Sequence, residues 1–284
     1  MSSIDIQNVS YCYRDNGEVC LALEDISLSI PSGQFVCIIG HSGCGKSTLL
    51  SLLSGLAMPD TGRILVDGAK VTGPSPDRAM VFQHYSLFPW MRVARNVAFS
   101  IRHSRRGLTT AQVEGEVHRY LADVGMDGEA GKYPFQLSGG MQQRVAIARA
   151  LAMESDILLL DEPFGALDAR NRTELQHLLV DLWRNAPRQR TVVFVTHDLN
   201  EALLLADRIV FMRPRRIERI VDVGFPRPRS LEELSLDPRF RALRSELLEL
   251  FYQEGDEPRE KAPEAPKSDD ELGMLHYDNI QGGA

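Results

Sequence analysis

The chain has 284 residues, of which 25% are charged and 43% are hydrophobic, proportions that suit a globular protein of one large domain or two small ones. Its net charge of -7 argues against a nucleic-acid binder that relies on a basic surface. No apolar run approaches the roughly 20 residues that a membrane helix needs, and residues 1–5 lack the features of a signal peptide, so we expect an intracellular protein.

The N-terminal segment predicts an antiparallel hairpin. Residues 4–11 alternate between apolar and polar side chains, as a half-buried strand does, and a second strand spans residues 21–30. Asp15-Asn16-Gly17 forms the turn between them. Tyr13 could stack on an adenine ring, although the pattern alone favours an aromatic side chain that covers the sheet.

A glycine-rich loop follows, between a buried strand and a helix. The apolar, β-branched run Phe35–Ile39 predicts the strand, and residues 48–53 have helical composition. Between them, Gly40–Thr48 contains a glycine, four residues and then Gly-Lys-Ser, which is the pattern of a phosphate-binding P-loop.

The backbone N–H groups of such a loop, and of the helix behind it, point at the phosphates of a nucleoside triphosphate. Lys46 would reach the terminal phosphates, and the Ser47 hydroxyl would bind magnesium. The nucleotide-binding candidates in this segment are Gly40, Ser42, Gly43, Cys44, Gly45, Lys46, Ser47 and Thr48.

Two short strands and an apolar loop come next. The strands lie at residues 63–68 and 79–82, and the second ends at Gln83. The segment Phe88–Trp90 is apolar, yet Pro89 bars it from a helix interior. It therefore forms either a core loop or an exposed docking surface for a partner, and the tryptophan beside a proline favours the surface.

A helical region then leads to a second glycine-rich helix start. Helical composition begins at Val93, breaks at Gly107 and resumes after the N-cap candidate Thr109. Ser138-Gly139-Gly140 then opens a helix that runs to Leu151. This start is a second potential anion site, or simply the beginning of a helix.

Two carboxylates stand at the end of the buried strand at residues 155–160. Burying them without partners is costly, and a magnesium ion with a water molecule explains them. Asp161 would bind the metal, and Glu162 would orient or deprotonate the attacking water. An exposed acidic turn is the alternative.

His197, after the buried strand at residues 191–195, could contact the γ-phosphate or the water, although a histidine at a strand end is more often structural.

The remaining elements are predicted from composition. Helices span residues 171–184 and 200–206, and residues 207–212 form the final strand. Residues 231–252, rich in Leu, Glu and Arg, form one or two helices. Residues 254–284 carry prolines and mixed charge with few apolar side chains, which predicts disorder.

Together these motifs resemble those of the ATP-binding cassette (ABC) ATPases across roughly residues 4–223. The matching segments are the Walker A loop at Gly40–Thr48, Walker B with its following glutamate at Ile157–Glu162, the Q-loop at Gln83, the signature at Leu137–Met141, the D-loop at Ala166–Asp168, the switch histidine at His197 and the adenine-stacking aromatic at Tyr13. Met141 stands where the family usually has glutamine. Because Ser138 and Gly140 carry the phosphate contact, we expect activity to survive.

The resemblance implies an α/β fold: a P-loop NTPase core with a mixed sheet, an N-terminal antiparallel β subdomain and a helical insert. The expected boundaries are residues 1–225 for the ABC ATP-binding domain, with a helical subdomain at about 88–152, residues 226–253 for a C-terminal helical extension, and residues 254–284 for a disordered tail.

The resemblance also implies ATP hydrolysis, with ATP and Mg²⁺ as cofactors. Two cassettes, as a homodimer or a paired cassette, would dimerise head to tail, so that each P-loop faces the signature helix of the other. The expected catalytic residues are Glu162, His197 and Gln83. The expected metal ligands are Ser47, Gln83 and Asp161, and the further nucleotide-binding residues are Tyr13, Ser138, Gly139, Gly140 and Asp168.

The segments Leu87–Val93 and Phe164–Asp168 look like those of the nitrate, sulfonate, taurine and bicarbonate importer ATPases. The implied function is the ATPase subunit of a small-anion importer on the cytoplasmic face of the membrane. Its permease subunits would contact Phe88–Trp90, a substrate-binding protein would be an indirect partner, and no nucleic acid would bind. The alternatives are a soluble ABC-type ATPase, a P-loop kinase, which the signature disfavours, and a regulator that binds ATP without turnover, which Glu162 and His197 disfavour.

Overall fold

The computed structural model of the protein describes residues 2–15, 18–186 and 188–252, so the predicted tail at residues 254–284 lies outside the described part. The strands are β1 (Ile4–Asp15), β2 (Glu18–Ile30), β3 (Phe35–Gly40), β4 (Thr61–Val66), β5 (Ala69–Lys70), β6 (Arg78–Val81), β7 (Ile157–Asp161), β8 (Thr191–Thr196), β9 (Arg208–Arg213) and β10 (Arg216–Asp222). The α-helices are α1 (Lys46–Ser54), α2 (Val93–Ser104), α3 (Thr110–Asp123), α4 (Gly139–Leu151), α5 (Ala169–Arg184), α6 (Leu199–Leu205), α7 (Leu231–Leu234) and α8 (Pro238–Tyr252), with short 3₁₀ turns at Asp127–Glu129 and Pro134–Gln136.

Two sheets organise the described residues. A four-stranded antiparallel sheet has the order β2-β1-β4-β5, and a six-stranded sheet has the order β10-β9-β3-β8-β7-β6. In the larger sheet all neighbours are parallel except β10, which runs antiparallel to β9 at the edge. This mixed sheet, the antiparallel N-terminal sheet and the surrounding helices confirm the predicted fold class.

The central strands read as continuous apolar runs because both of their faces are covered. Along β3 the side chains alternate between two apolar clusters. Phe35, Cys37 and Ile39 join the cluster that includes the helices of the insert, whereas Val36 and Ile38 join the cluster under α1 and the N-terminal sheet. The strand that leads into the predicted P-loop therefore lies at the centre of the core.

The helical insert has the predicted break. α2 ends at Ser104, and α3 starts after a capping box in which the Thr109 hydroxyl accepts from the Gln112 backbone and the Gln112 side chain accepts from the Thr109 backbone. Further along, Ser138 caps α4. Within the described residues, no helix has both the length and the apolar character needed to cross a bilayer.

The prediction that residues 207–212 form the final strand is wrong, because β10 follows β9 after a short turn. Four of the seven residues of β10 are charged, and only half-exposed or exposed positions occur along it. An edge strand of this kind carries no apolar run, since charged side chains protect a free edge from pairing with other chains. The break between α7 and α8 spans residues 235–237, within the helical segment predicted at residues 231–252, and α8 begins at Pro238.

Candidate functional site

The P-loop curls between β3 and the N-terminus of α1. Gly45 is the N-cap of α1 and has φ 107°, a left-handed conformation that side chains disfavour. A Cβ atom at this position would lie 2.7 Å from Leu23 Cδ2 and 2.9 Å from the carbonyl oxygen of Ala22. The loop can therefore pack against β2 only if this residue is glycine.

The Lys46 ammonium lies inside this loop. Its Nζ donates hydrogen bonds to the carbonyl oxygens of Gly40 and His41, both at 2.9 Å, and the side chain is buried. Cys44 is also buried, and burial raises the pKa of its thiol, so the thiol stays neutral. The predicted phosphate-binding residues are thus collected into one curled loop with a cation at its base.

Ser47 and Asp161 form the candidate magnesium site. The Ser47 hydroxyl donates to Asp161 Oδ1 at 3.0 Å, although the two residues are 114 positions apart. Burial is the main cause that raises the pKa of Asp161, and the nearby Glu162 carboxylate adds to it. A hydroxyl beside a poorly solvated carboxylate fits Mg²⁺, which takes few protein ligands together with phosphate oxygens and water. Within the described ranges, no group of three or more His, Cys, Asp or Glu side chains is arranged to hold a metal ion by itself.

Glu162 and His197 form a second pair beside the first. His197 Nδ1 lies 3.0 Å from Glu162 Oε2, and the backbone N–H of Glu162 donates to the carbonyl oxygen of Val195 in β8. Glu162 has φ 41°, so the chain turns sharply after β7 and the Gly165 N–H bonds back to the Glu162 carbonyl. The turn brings the glutamate of one strand end to the histidine of the next.

Tyr13 lies beside the P-loop helix. Its hydroxyl is 2.9 Å from Thr48 Oγ1, and its ring meets the Tyr11 ring edge-on with centroids 5.1 Å apart. The side chain is 39% exposed. An aromatic ring is therefore available next to the phosphate loop, in a position that suits adenine stacking.

The signature segment and Asp168 occupy other parts of the chain. The Ser138 hydroxyl accepts from the Met141 backbone N–H at 3.4 Å, and Met141 packs against the main apolar cluster. Asp168 caps α5 and accepts from the Asn171 backbone and side chain at 3.0 and 2.6 Å; these bonds lower its pKa. Among the described residues no hydrogen bond or ion pair joins Ser138–Gly140 to the P-loop. Within one chain, these residues and the P-loop are therefore not linked by such a contact.

Gln83 is exposed two positions after β6, and its side chain makes no described contact with Ser47 or Asp161. The strand that carries it is the neighbour of β7. Gln83 thus lies at the sheet edge where the carboxylates lie, but outside their hydrogen-bond network.

The predicted docking loop is exposed at its tip. Trp90 is 70% exposed and Phe99, nearly two turns into α2, is 47% exposed. The Phe88 ring lies between them, with centroids 5.6 and 4.9 Å away. The buried Asn96 holds the loop, because its amide bonds the backbone of Phe88 in both directions. We call Phe88, Trp90 and Phe99 the aromatic patch.

Two neighbours of the site were not predicted from the sequence. His41 Nε2 lies 2.7 Å from the carbonyl oxygen of Phe251 at the end of α8, a contact that spans 210 residues. The Arg172 guanidinium donates to the carbonyl oxygen of Leu167 at 3.2 Å and lies 3.7 Å from Asp198, next to His197. No motif marks the first contact, whereas the second joins two recognised loops and could have been sought among their flanking residues.

The chain is similar to known proteins in sequence and in fold. Residues 23–165 match the family described as ABC transporter. The chain is 47% identical over 236 residues to the nitrate import ATP-binding protein NrtD of Synechococcus elongatus, covering 82% of this chain and 85% of that protein. It is 43% identical over 252 residues to the bicarbonate transport ATP-binding protein CmpD of a Synechocystis species, covering 88% and 89%.

A solved structure shows the same fold. This is the dimeric post-hydrolysis state of the ATP-binding cassette MJ0796 bound to ADP and Pi, with a TM-score of 0.71 and 34% identity, covering 78% of this chain and 100% of that chain. The family match spans half of the chain, and the relatives are covered over most of their length. This chain therefore belongs to the ABC transporter family, in which it is an ATP-hydrolysing cassette.

Proposed function

We propose that this chain is the ATPase subunit of an importer for a small anion of the nitrate, sulfonate or taurine type, acting from the cytoplasmic face of the membrane. Relatives at 47% and 43% identity carry nitrate import and bicarbonate transport in their names. A solute carried by a separate permease never touches this subunit. The choice of anion therefore rests on the relatives, whereas the hydrolytic role rests on the site.

The observation that carries the hydrolytic role is the meeting of two side-chain pairs at the carboxyl ends of three parallel strands, β3, β8 and β7, which lie in this order in the larger sheet. Ser47 and Asp161 are joined at 3.0 Å after β3 and β7, and Glu162 and His197 are joined at 3.0 Å after β7 and β8. The first pair suits a hard cation, and the second suits a water molecule beside it.

The chemistry follows from these positions. Glu162 accepts the proton of the attacking water. His197, bonded to the same carboxylate, orients that water towards the γ-phosphate. Lys46 exchanges its bonds to the loop carbonyls for bonds to the terminal phosphate oxygens. Magnesium, when bound by Ser47 and Asp161, supplies positive charge to the phosphate oxygens. Gln83 joins this set once the site closes.

The second half-site comes from a second copy or a paired cassette. Ser138 begins α4, whose N-terminal N–H groups suit a γ-phosphate, yet this segment makes no described contact with the P-loop of its own chain. Head-to-tail pairing brings the two together, and the solved dimeric cassette with 34% identity supports such an assembly. ATP then closes the dimer and hydrolysis releases it.

The first experiment compares Glu162→Gln with the wild-type chain. We expect the variant to lose ATPase activity by about 10²- to 10⁴-fold, the usual contribution of a general base, and to accumulate as an ATP-bound dimer in size-exclusion chromatography. The control is Glu174→Gln, which makes the same change at a glutamate of α5. Unchanged hydrolysis in Glu162→Gln would exclude the assigned base.

The second experiment addresses the permease. Detergent extracts of the native host should yield a multi-spanning membrane protein on the immobilised wild-type chain, and Phe88→Ala with Trp90→Ala should abolish its recovery. Leu236→Ala, at another exposed apolar position, should leave recovery intact. Recovery of soluble partners alone would favour the soluble ABC-type ATPase.

A further inference from the structure

One stretch of this acidic chain carries only positive charge. Residues 78–113 contain six arginines and no aspartate or glutamate, whereas the whole chain has a net charge of -7. α2 lies inside this stretch. Charge of one sign gathered on one exposed element attracts ligands of opposite sign and raises their local concentration.

The basic side chains of α2 share a single exposed face. On a helix with 3.6 residues per turn, positions 92, 95, 99, 102 and 106 fall on one stripe. The exposed members of this basic stripe are Arg92, Arg95, Phe99, Arg102, His103 and Arg106, the last in the turn that follows the helix. α2, along which the stripe runs, is about 18 Å long at 1.5 Å per residue.

The charges of the stripe are not neutralised within the chain. No described carboxylate pairs with Arg95, Arg102 or Arg106 in the part of the protein that the structure covers, whereas Arg105, the residue before Arg106, pairs with Glu116 and Glu154 at 3.2 and 3.0 Å. Burying the stripe against a neutral surface would leave these charges without partners, so its partner must be anionic.

A pocket of about 270 Å³ lies at the end of the stripe. Arg102, Arg105 and Arg106 line one part of it, and Leu108 and Val113 line another. The buried Nε of Arg105 has no hydrogen-bond acceptor. Arginines beside an apolar wall match a phosphodiester attached to a glycerol and the start of an acyl chain.

The stripe also faces the same way as the aromatic patch. Phe99 belongs to both, and its ring stacks on that of His103 at 6.2 Å. The inference rests on the proposed function at this one point: if the aromatic patch meets the permease, the stripe faces the bilayer in which the permease lies. Tryptophan and phenylalanine next to arginine are typical of protein surfaces at a membrane interface.

We propose that the basic stripe of α2 binds anionic phospholipid headgroups of the membrane, with one headgroup phosphate in the arginine-lined pocket. An acidic protein segment is the competing occupant. The spread of single charges over the whole helix, and a pocket with an apolar wall, match an array of separate lipid phosphates better than one chain of carboxylates.

The test uses the purified full-length chain and vesicles without any permease. Vesicles of one part phosphatidylglycerol to two parts phosphatidylcholine should sediment with the protein at low salt, whereas vesicles of phosphatidylcholine alone should not. Binding should fall as salt shortens the Debye length from about 30 Å at 0.01 M to about 8 Å at 0.15 M. Because the chain is acidic overall, unspecific attraction to anionic vesicles is not expected.

The decisive variant is Arg95→Gln/Arg102→Gln/Arg106→Gln. Each arginine near an anionic surface is worth about fivefold in affinity, so the triple variant should bind about a hundredfold more weakly. The matched control, Arg63→Gln/Arg216→Gln/Arg239→Gln, removes the same charge from exposed positions elsewhere and should bind like the wild type.

Three outcomes would overturn the proposal: no binding of the wild type to the anionic vesicles, equal loss in both triple variants, or full binding by the α2 variant. If the α2 variant keeps vesicle binding but loses recovery of a multi-spanning protein from detergent extracts, the stripe docks an acidic protein segment and the lipid assignment is wrong. Since the vesicles hold no permease and ATPase activity is read separately, failure here leaves the proposed function untouched.

Discussion

The residue with the greatest conflict between stability and function is Asp161. Its carboxyl is half-buried beside Glu162, and burial raises its pKa. A carboxyl with a higher pKa in the folded chain than in the unfolded chain holds its proton longer when folded, so stability is lost as pH rises from the ordinary value through the raised one. At neutral pH the ionised, poorly solvated carboxylate destabilises the nucleotide-free protein, which is the cost of a site prepared for a cation.

We therefore predict that Asp161→Asn stabilises the nucleotide-free protein at pH 7. The melting temperature of the variant should also fall less than that of the wild type as pH rises through the carboxylate titration range. The asparagine still accepts from Ser47 but carries no charge. ATPase activity should drop by about 10²- to 10³-fold, since a group that stabilises charge in the transition state is weakened. Calorimetry with and without Mg·ATP measures both effects.

The exposed Asp127→Asn is the control for this prediction, and it should change neither the melting temperature at pH 7 nor the activity. A lower melting temperature for Asp161→Asn without nucleotide would show that the carboxylate is stabilised by its surroundings, against the present reasoning.

At the scale of residues, the sequence predicted those functional residues that belong to a short local motif. Lys46, Ser47 and Asp161 follow from glycine spacing and from carboxylates at a strand end, and the structure brings Ser47 and Asp161 together. The contact between His41 and Phe251 could not be predicted, because it joins a side chain to a backbone carbonyl 210 positions away and any residue supplies a carbonyl.

At the scale of elements, α6 depends on a side chain from beyond the domain core. The buried Arg229 donates to the carbonyl oxygens of Leu203, Ala206, Val223 and Phe225, at 3.1, 2.5, 3.2 and 2.8 Å from its Nη atoms. The last carbonyls of a helix have no partner inside the helix, so the guanidinium closes the C-terminus of α6, the helix that follows His197. Burial lowers the pKa of Arg229 to about 10, which leaves it charged at neutral pH.

We predict that Arg229→Met lowers the free energy of unfolding by about 3–5 kcal/mol, because it leaves buried carbonyl groups without donors. Urea unfolding measures the change. Arg239→Met, on the surface of α8, should leave the urea midpoint unchanged. If both variants unfold at the wild-type midpoint, the carbonyls are solvated and Arg229 does not hold α6.

Elements with a strong period were predicted from the sequence, and those defined by tertiary contacts were not. The break at Gly107 and the N-cap at Thr109 are local signals, and α3 begins where they predict. β10 has no such signal, because an edge strand on β9 needs only backbone pairing and can carry charges on both faces. The role of Arg229 has no signal either, since an arginine among prolines looks like a solvated one.

At the scale of the molecule, the separation of the P-loop from Ser138 in one chain makes a prediction about mixtures. Lys46→Met disables the P-loop half-site and leaves the signature intact. Ser138→Asp keeps the helix cap but adds a negative charge that repels a γ-phosphate, and leaves the P-loop intact. In a dimer of one copy of each, one composite site is whole and the other lacks both halves.

Each variant alone should therefore hydrolyse ATP at about 10²- to 10³-fold below the wild type, while an equal mixture recovers activity. With random exchange half of the dimers are mixed, so independent sites would give about one quarter of the wild-type rate. Ser138→Asn, which caps α4 without charge but also lacks the hydroxyl, should lose less activity than Ser138→Asp, and the difference between the two variants isolates the electrostatic effect. If hydrolysis requires both sites of a dimer to be intact, the mixture recovers no activity. It still forms ATP-dependent dimers in size-exclusion chromatography, whereas neither variant does so alone. If each chain completed its own site instead, the mixture would stay as inactive as the single variants, because every chain would carry one defective half of its site.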